Sequence, residues 1–154
     1  MQVAAIINGV HYSDRNIPNK TYEVTDFDSI TEKAERFQAI VDSPAKIEMV
    51  KELVPSGLYA YFTDDGYALI SHSEATKINA LSAILQFWDI SFEETVAFGD
   101  AGNDIDMLTK CGIGVTPENA RDEIKAIADE CCDNCDSDGV AKWLERHVLG
   151  STPR

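Results

Sequence analysis

The sequence has no apolar run long enough to span a bilayer, and no charged-then-apolar leader opens it, so the expectation is a cytoplasmic globular protein. Positive charge is scarce. Thirteen Lys and Arg stand against 27 Asp and Glu, a net charge of −14. That excludes nonspecific nucleic-acid binding, whose affinity rests on neutralising phosphates. It also disfavours a phosphorylated ligand unless cations at its site reverse the local field. Histidine is scarce as well, and His11, His72 and His147 are far apart in the chain. Of four cysteines, Cys132 and Cys135 form one Cys-x-x-Cys, with no second pair and no neighbouring His, so a zinc ligand set is lacking. Asp129, Glu130, Asp133, Asp136 and Asp138 crowd the Cys131–Cys135 segment and work against thiolate chemistry. These read as loop thiols, and Cys111 as a small buried hydrophobe. Repeats, low-complexity tracts and long linkers are absent.

What is there is enough for a core. A hydrophobic content of 44% argues against disorder, and 154 residues can build one ordinary core or two small lobes. From residue 1 to about 73, strands alternate with helices. Val3–Ile7 and Val10–Tyr12 flank Asn8-Gly9, a strong hairpin signal. Ser29-Ile30-Thr31-Glu32 spells a capping box for a helix running to Phe37, followed by a strand at Gln38–Val41. Ser43-Pro44 opens a helix to Val54. Leu58–Phe62 and Tyr67–Ile70 form a second hairpin around Thr63-Asp64-Asp65-Gly66. From 74 to 154 the pattern is helix, strand, helix, strand, helix, helix. The fold class expected is α/β.

The densest chemistry lies in Phe98-Gly99-Asp100-Ala101-Gly102-Asn103-Asp104-Ile105-Asp106-Met107. Thr95–Phe98 reads as a short buried strand, and Asp104–Lys110 as a helix. A strand that stops in a Gly-rich acidic turn before a helix puts oxygen ligands at the carboxyl edge of a sheet, where open α/β folds bind ligands. Oxygen donors without local His or Cys suit a hard cation such as Mg²⁺. The alternative is an acidic Asx-turn that merely caps a helix. Upstream, Ile78, Leu81, Leu85 and Trp88 share one helical stripe, which puts Lys77 in the first turn. A cation there opposes the helix dipole and needs a compensating anion or carboxylate cluster. Downstream come a strand at Gly112–Val115, a helix opened by Glu118-Asn119-Ala120, and a last helix from Asp138-Gly139-Val140-Ala141.

In this order the parts resemble the Cof-type haloacid dehalogenase superfamily, sugar-phosphate phosphatases with an α/β cap inserted into a Rossmann-like core. Lys77 matches the family's third motif and Gly99–Met107 its fourth, with Gly112–Val115, Asn119-Ala120 and Asp138–Ala141 at the expected intervals. Thr116-Pro117-Glu118 departs from the small or methionine-rich turn usual before Asn119. The resemblance implies a partial cap over residues 1–73 and the C-terminal half of the core over 74–154. It implies catalysis by Asp attack on phosphorus, with an aspartyl-phosphate that water hydrolyses. Asp100 would ligate Mg²⁺, and Asp104 would support that shell or orient Lys77. Lys77 would stabilise charge on the transferring group. Asn103 and Asn119 would contact substrate, and Asp106 would face solvent.

The resemblance also implies a nucleophile loop, Asp-x-Asp-Gly-Thr, N-terminal to the cap, and no such stretch occurs here. Asp26-Phe27-Asp28 has the spacing, but neither a continuous apolar strand before it nor Gly-Thr after it. The expectation is therefore a chain inactive alone, which takes a small phosphorylated substrate only when completed by an N-terminal half, and whose uncovered strand and half-cap call for a homodimer partner or a complementing chain. The alternatives are a non-catalytic association or regulatory module, or a vestigial product of a truncated gene.

Overall fold

A computed structural model describes residues 1–63 and 65–150; Asp64 of the second hairpin lies outside the described residues. The chain divides into two compact units, Met1–Ala75 and Thr76–Arg154.

The first unit is a six-stranded sheet with one helix against it. Strands β1 (Val3–Ile7) and β2 (Val10–Ser13) pair antiparallel with Ile7 opposite Val10. The two-residue loop between them places Asn8 at φ 52° and Gly9 at φ 75°, the positive dihedrals that the Asn-Gly pair supplies at low cost. The sheet is completed by β3 (Glu23–Val24), β4 (Arg36–Ile40), β5 (Leu58–Phe62) and β6 (Tyr67–His72), in the order β3-β2-β1-β4-β6-β5. All neighbours are antiparallel except β2 and β3. Helix α1 (Pro44–Leu53) starts with proline at its first turn. It packs Val50, with Ile47 and Val54, on Ala39, Val41 and Ala68. Val50 is 1% exposed, so its burial alone contributes on the order of 2 kcal/mol.

One expected helix does not form. Residues 30–35 are irregular, with bends at Glu32 and Glu35, after a short 3-10 turn at Phe27–Ser29, and β4 begins at Arg36. The Glu32 carboxylate accepts from the Thr31 N–H next to it and does not reach back to Ser29. The capping pattern is present, but Ile30 and Ala34 give no apolar stripe to bury. A helix this short gains its stability from packing, not from its caps. Phe37 and Ala39 instead join the period-2 pattern of the sheet.

The second unit is a parallel three-stranded sheet with helices around it, ordered β7 (Val96–Phe98), β8 (Ile113–Pro117), β9 (Glu130–Cys132). Parallel neighbours need crossovers. Helix α3 (Ile105–Lys110) lies between β7 and β8, and α4 (Asp122–Lys125) between β8 and β9. Leu108, Ala120 and Ile124 form one cluster. A second joins Val115, Cys132 and Phe98 to Trp143 of α5 (Gly139–Leu144). The Trp143 indole donates to Glu130 at 2.7 Å and stacks on His147 at 4.3 Å, tying α5 to β9.

Three sequence expectations change here. Cys131 and Cys132 stand on β9 and are not loop thiols, although Cys135 follows in a 3-10 turn. Burial, then the neighbouring Cys131, pushes the Cys132 thiol above its ordinary value, which suits a packed hydrophobe. The helix expected to open at Glu118 starts only at Asp122, because Pro117 closes β8 and Ala120 N–H turns back to Pro117. In helix α2 (Lys77–Trp88), Ile78 and Leu85 are buried but Trp88 is 62% exposed. Ile84 and Phe87 are exposed beside it.

Candidate active site

The site begins where β7 runs out. Gly99 N–H still donates to Val115 of β8, and the chain then turns through Asp100 and Ala101 into a 3-10 turn at Gly102–Asp104 that leads into α3. That turn folds the Asp104 side chain back under the loop it has just left. Asp104 Oδ2 accepts from the backbone N–H of Asp100 and of Ala101, both at 3.2 Å, while Oδ1 accepts from Lys77 Nζ at 2.5 Å. The carboxylate is 3% exposed and Lys77 is 49% exposed. A buried charge is tolerated only when paired and hydrogen-bonded, and three donors meet that need here.

Gly99 makes this possible. A Cβ at residue 99 would overlap Cβ and Cγ of Asp104, so only glycine lets the carboxylate lie against the strand end. Lys77 occupies the first position of α2, whose N-terminus is capped by Thr76 Oγ1 accepting from Asn79 N–H at 3.2 Å. The anion that offsets its unfavourable place on the helix dipole is Asp104.

The sequence-derived residues therefore separate by what holds them. Lys77 and Asp104 are brought together, with the Asp100 backbone fastened to the same carboxylate. The side chains of Asp100 and Asn103 are exposed and have no hydrogen-bond partner among the described residues. Asp106 is exposed on α3. Asn119 is engaged elsewhere, its Oδ1 accepting from Cys135 N–H at 3.2 Å. Sequence reasoning missed the parts played by Gly99 and by the two loop N–H groups. A glycine at a strand end with an Asp five residues on was their available signal.

The Asp-x-Asp candidate of the first unit is local in the structure. Asp26 caps the 3-10 turn by accepting from Asp28 N–H at 3.1 Å, after an edge strand of two residues. In the second hairpin, Thr63 accepts from Gly66 N–H and donates to Tyr67, which closes the hairpin between β5 and β6; Asp64 of that candidate lies outside the described residues.

A strand-end acidic loop, a buried Asp104 paired with a half-exposed Lys77, and a parallel sheet define the geometry, and the chain can be set beside known proteins. The family model of haloacid dehalogenase-like hydrolases matches residues 6–144. The chain belongs to that family. A candidate phosphatase of Haemophilus influenzae is 32% identical over 127 residues, covering 80% of this chain and 48% of its own length. Phosphatase YwpJ of Bacillus subtilis is 36% identical over 108 residues, covering 64% of this chain and 38% of its own. Phosphoglycolate phosphatase 1 of Saccharolobus solfataricus is 33% identical over 110 residues, covering 70% and 47%. The chain thus spans about half the length, or less, of these relatives. Among solved structures, a haloalkanoate-superfamily phosphatase of Bacteroides thetaiotaomicron superposes with a TM-score of 0.80 at 25% identity, covering 94% of this chain and 58% of that one. A Streptococcus mutans protein reaches 0.83 at 22% identity over 97% and 62%, which speaks for the fold alone. By ancestry this is a chain of the haloacid dehalogenase-like hydrolases, of mixed α/β fold with a parallel sheet.

Proposed function

We propose that this haloacid dehalogenase-like chain carries the metal-binding and charge-compensating half of a Cof-type phosphatase site for sugar phosphates or similar phosphomonoesters. The single observation that carries this reading is the division of labour between two carboxylates four residues apart. Asp104 has both oxygens committed to Lys77 and the loop, whereas Asp100 is held by its backbone and keeps its carboxylate outside that network.

Asp100 is the residue that would hold Mg²⁺, and the donor chemistry fits. Magnesium takes oxygen ligands, keeps several waters, and is commonly held by one or two carboxylates together with a phosphate. Among the described residues no three His, Cys, Asp or Glu side chains converge, so Asp100 is one ligand and not a cage. The ion, when bound, neutralises phosphoryl oxygens. Lys77 then acts as a positioned donor. One N–H is spent on Asp104, and the half-exposed ammonium retains others for a phosphoryl oxygen. Asp104 positions Lys77 and the Asp100 loop together and is kept from the metal by its own bonds. Asn103, exposed beside Asp100, is placed to donate to the same ligand, while the tie from Asn119 to Cys135 makes it a loop fastener first.

No Asp-x-Asp-Gly-Thr occurs in the 154 residues. Asp136-Ser137-Asp138-Gly139 comes nearest, but Val140 follows it and the stretch opens α5. The nucleophile is therefore proposed to come from outside these 154 residues, in the cytoplasm. The test is hydrolysis of p-nitrophenyl phosphate with Mg²⁺ by the chain alone. Background rates are expected, together with Mg²⁺ binding that Asp100→Ala abolishes. Robust turnover that dies with Asp100→Ala yet survives Asp26→Ala and Asp28→Ala would overturn the account of the nucleophile. Mg²⁺ binding unaffected by Asp100→Ala would overturn the metal assignment.

A further inference from the structure

The sheet of the first unit has two unlike faces. One is covered by α1 through Ala39, Ala68 and Val50. On the other, the register sets His11 of β2 and Arg36 of β4 on either side of Ile6 of β1. Gln38, two residues along β4 and opposite Ala4, points the same way. Tyr22 closes this row from the segment before β3. Its hydroxyl accepts from the Gln38 amide at 3.2 Å, and its ring meets His11 edge-on at 5.4 Å. Together these residues line a cavity of about 80 Å³.

The chemistry of this lining runs against that of the whole chain. The protein carries 27 acidic residues, yet no carboxylate lines this cavity. Arg36 has no ion pair or hydrogen-bond partner for its guanidinium among the described residues. The nearest acidic neighbour in sequence, Glu35, is spent on Gly9 N–H. Tyr22 accepts from Gln38 and so keeps its own proton to donate; the His11 ring and the guanidinium fork supply further donors. The volume is several times that needed for one water and suits one small group.

We propose that this cavity is an oxyanion site, in which Arg36 grips a single phosphate or carboxylate group of a small molecule and Tyr22, His11 and Gln38 orient it. A planar fork of donors with no internal partner is the arrangement that recognises such groups in two-point fashion. The proposal does not depend on the Asp100 reading, because that loop belongs to the other unit and the test is run without metal.

The experiment is an NMR titration of the full isotope-labelled chain in chelator, with inorganic phosphate, then acetate, and with chloride at matched ionic strength as control. Saturable shifts are expected at the Arg36 Nε–H, the Gln38 side-chain amide and the His11 ring for at least one of the two anions. Saturation by phosphate alone marks a phosphate site, and saturation by both marks a general oxyanion site. Arg36→Met keeps the aliphatic stem and should weaken binding by about 10-fold or more, the scale of a lost hydrogen bond to a charged group. His11→Phe, which keeps the Tyr22 ring contact, should weaken it less while leaving the spectrum folded. Shifts no larger than those with chloride, or an unchanged affinity in Arg36→Met, would overturn the proposal.

Discussion

Breaking one ion pair from its two ends should give two different costs. Lys77→Met leaves the Asp104 carboxylate 3% exposed with only the Asp100 and Ala101 N–H groups for company. A buried pair broken from one side costs roughly 3–5 kcal/mol when both partners are buried, and the two remaining donors reduce that here to about 2–4. Asp104→Asn removes the buried charge itself. The amide oxygen can keep both loop N–H groups, and Lys77, 49% exposed, can turn to water. The loss is then about 1–2 kcal/mol, one charge-assisted hydrogen bond of roughly 1.5–3 kcal/mol lowered by solvent screening of the half-exposed Lys77. The double variant Lys77→Met/Asp104→Asn should be more stable than Lys77→Met alone, because the orphaned charge is gone. Urea unfolding followed by tryptophan fluorescence reads this cleanly, since Trp88 and Trp143 both lie in the second unit. Asp104→Asn proving as costly as Lys77→Met, or a double variant whose cost equals the sum of the singles, would refute the picture of a buried carboxylate held by three donors.

Gly99→Ala should cost about 1–3 kcal/mol, as an overpacked site does, and should weaken Mg²⁺ binding because the Asp100 loop must shift away from Asp104; an unchanged urea midpoint would count against it. In the first unit, burial pushes the Asp14 carboxyl up, but Val3 N–H at 3.0 Å and the Arg15 guanidinium outweigh it and hold the group below its ordinary value of 3.8. A lowered folded pKa stabilises above the unfolded value, and that contribution is lost as pH falls through the folded one. Hydrogen-exchange protection of the Val3 amide should therefore exceed that in Asp14→Asn at neutral pH, and the gap should close below pH 3.8. The exposed Ile84, Phe87 and Trp88 of α2 and the open edge of β7 should drive self-association or capture of a complementing chain, seen by size-exclusion with light scattering; a monodisperse monomer at micromolar concentration would contradict this.

What the sequence made legible follows from how local each signal is. Asn8-Gly9 and Ser43-Pro44 act within a few residues, and the hairpin and helix they announce are present. The Phe98–Met107 stretch is legible for the same reason, since loop, turn and helix are contiguous. The capping box at Ser29–Glu32 is equally local but has no apolar face to dock, and tertiary pairing of β4 with β1 and β6 takes its last residues. Strand β9 was hidden because Asp129-Glu130-Cys131-Cys132 has neither alternation nor β-branched residues. It exists only because β8 offers it a parallel partner and Trp143 covers Cys132. The Lys77–Asp104 contact spans 27 residues, and the need for it could be inferred from the helix dipole while its geometry could not.

The exposed face of α2 and the fastened loop bear on each other. A helix stabilised in its own unit would show one buried stripe, and α2 has that in Ile78 and Leu85; Ile84, Phe87 and Trp88 form a second apolar stripe left in solvent. Such a helix is built to be covered on two sides. Lys77 begins that helix and its ammonium is bound to Asp104, so whatever covers the second stripe presses on the element that carries the site's cation. On the proposed reading, a complementing chain that covered this stripe would couple complementation to catalysis through α2. A partner that buries Phe87 and Trp88 would fix the helix N-terminus, and with it Lys77 and the Asp100 loop, in one arrangement. On that reading the open stripe would belong to the site's construction, since holding the helix behind Lys77 would add to the hold that Asp104 and the Thr76 cap already give.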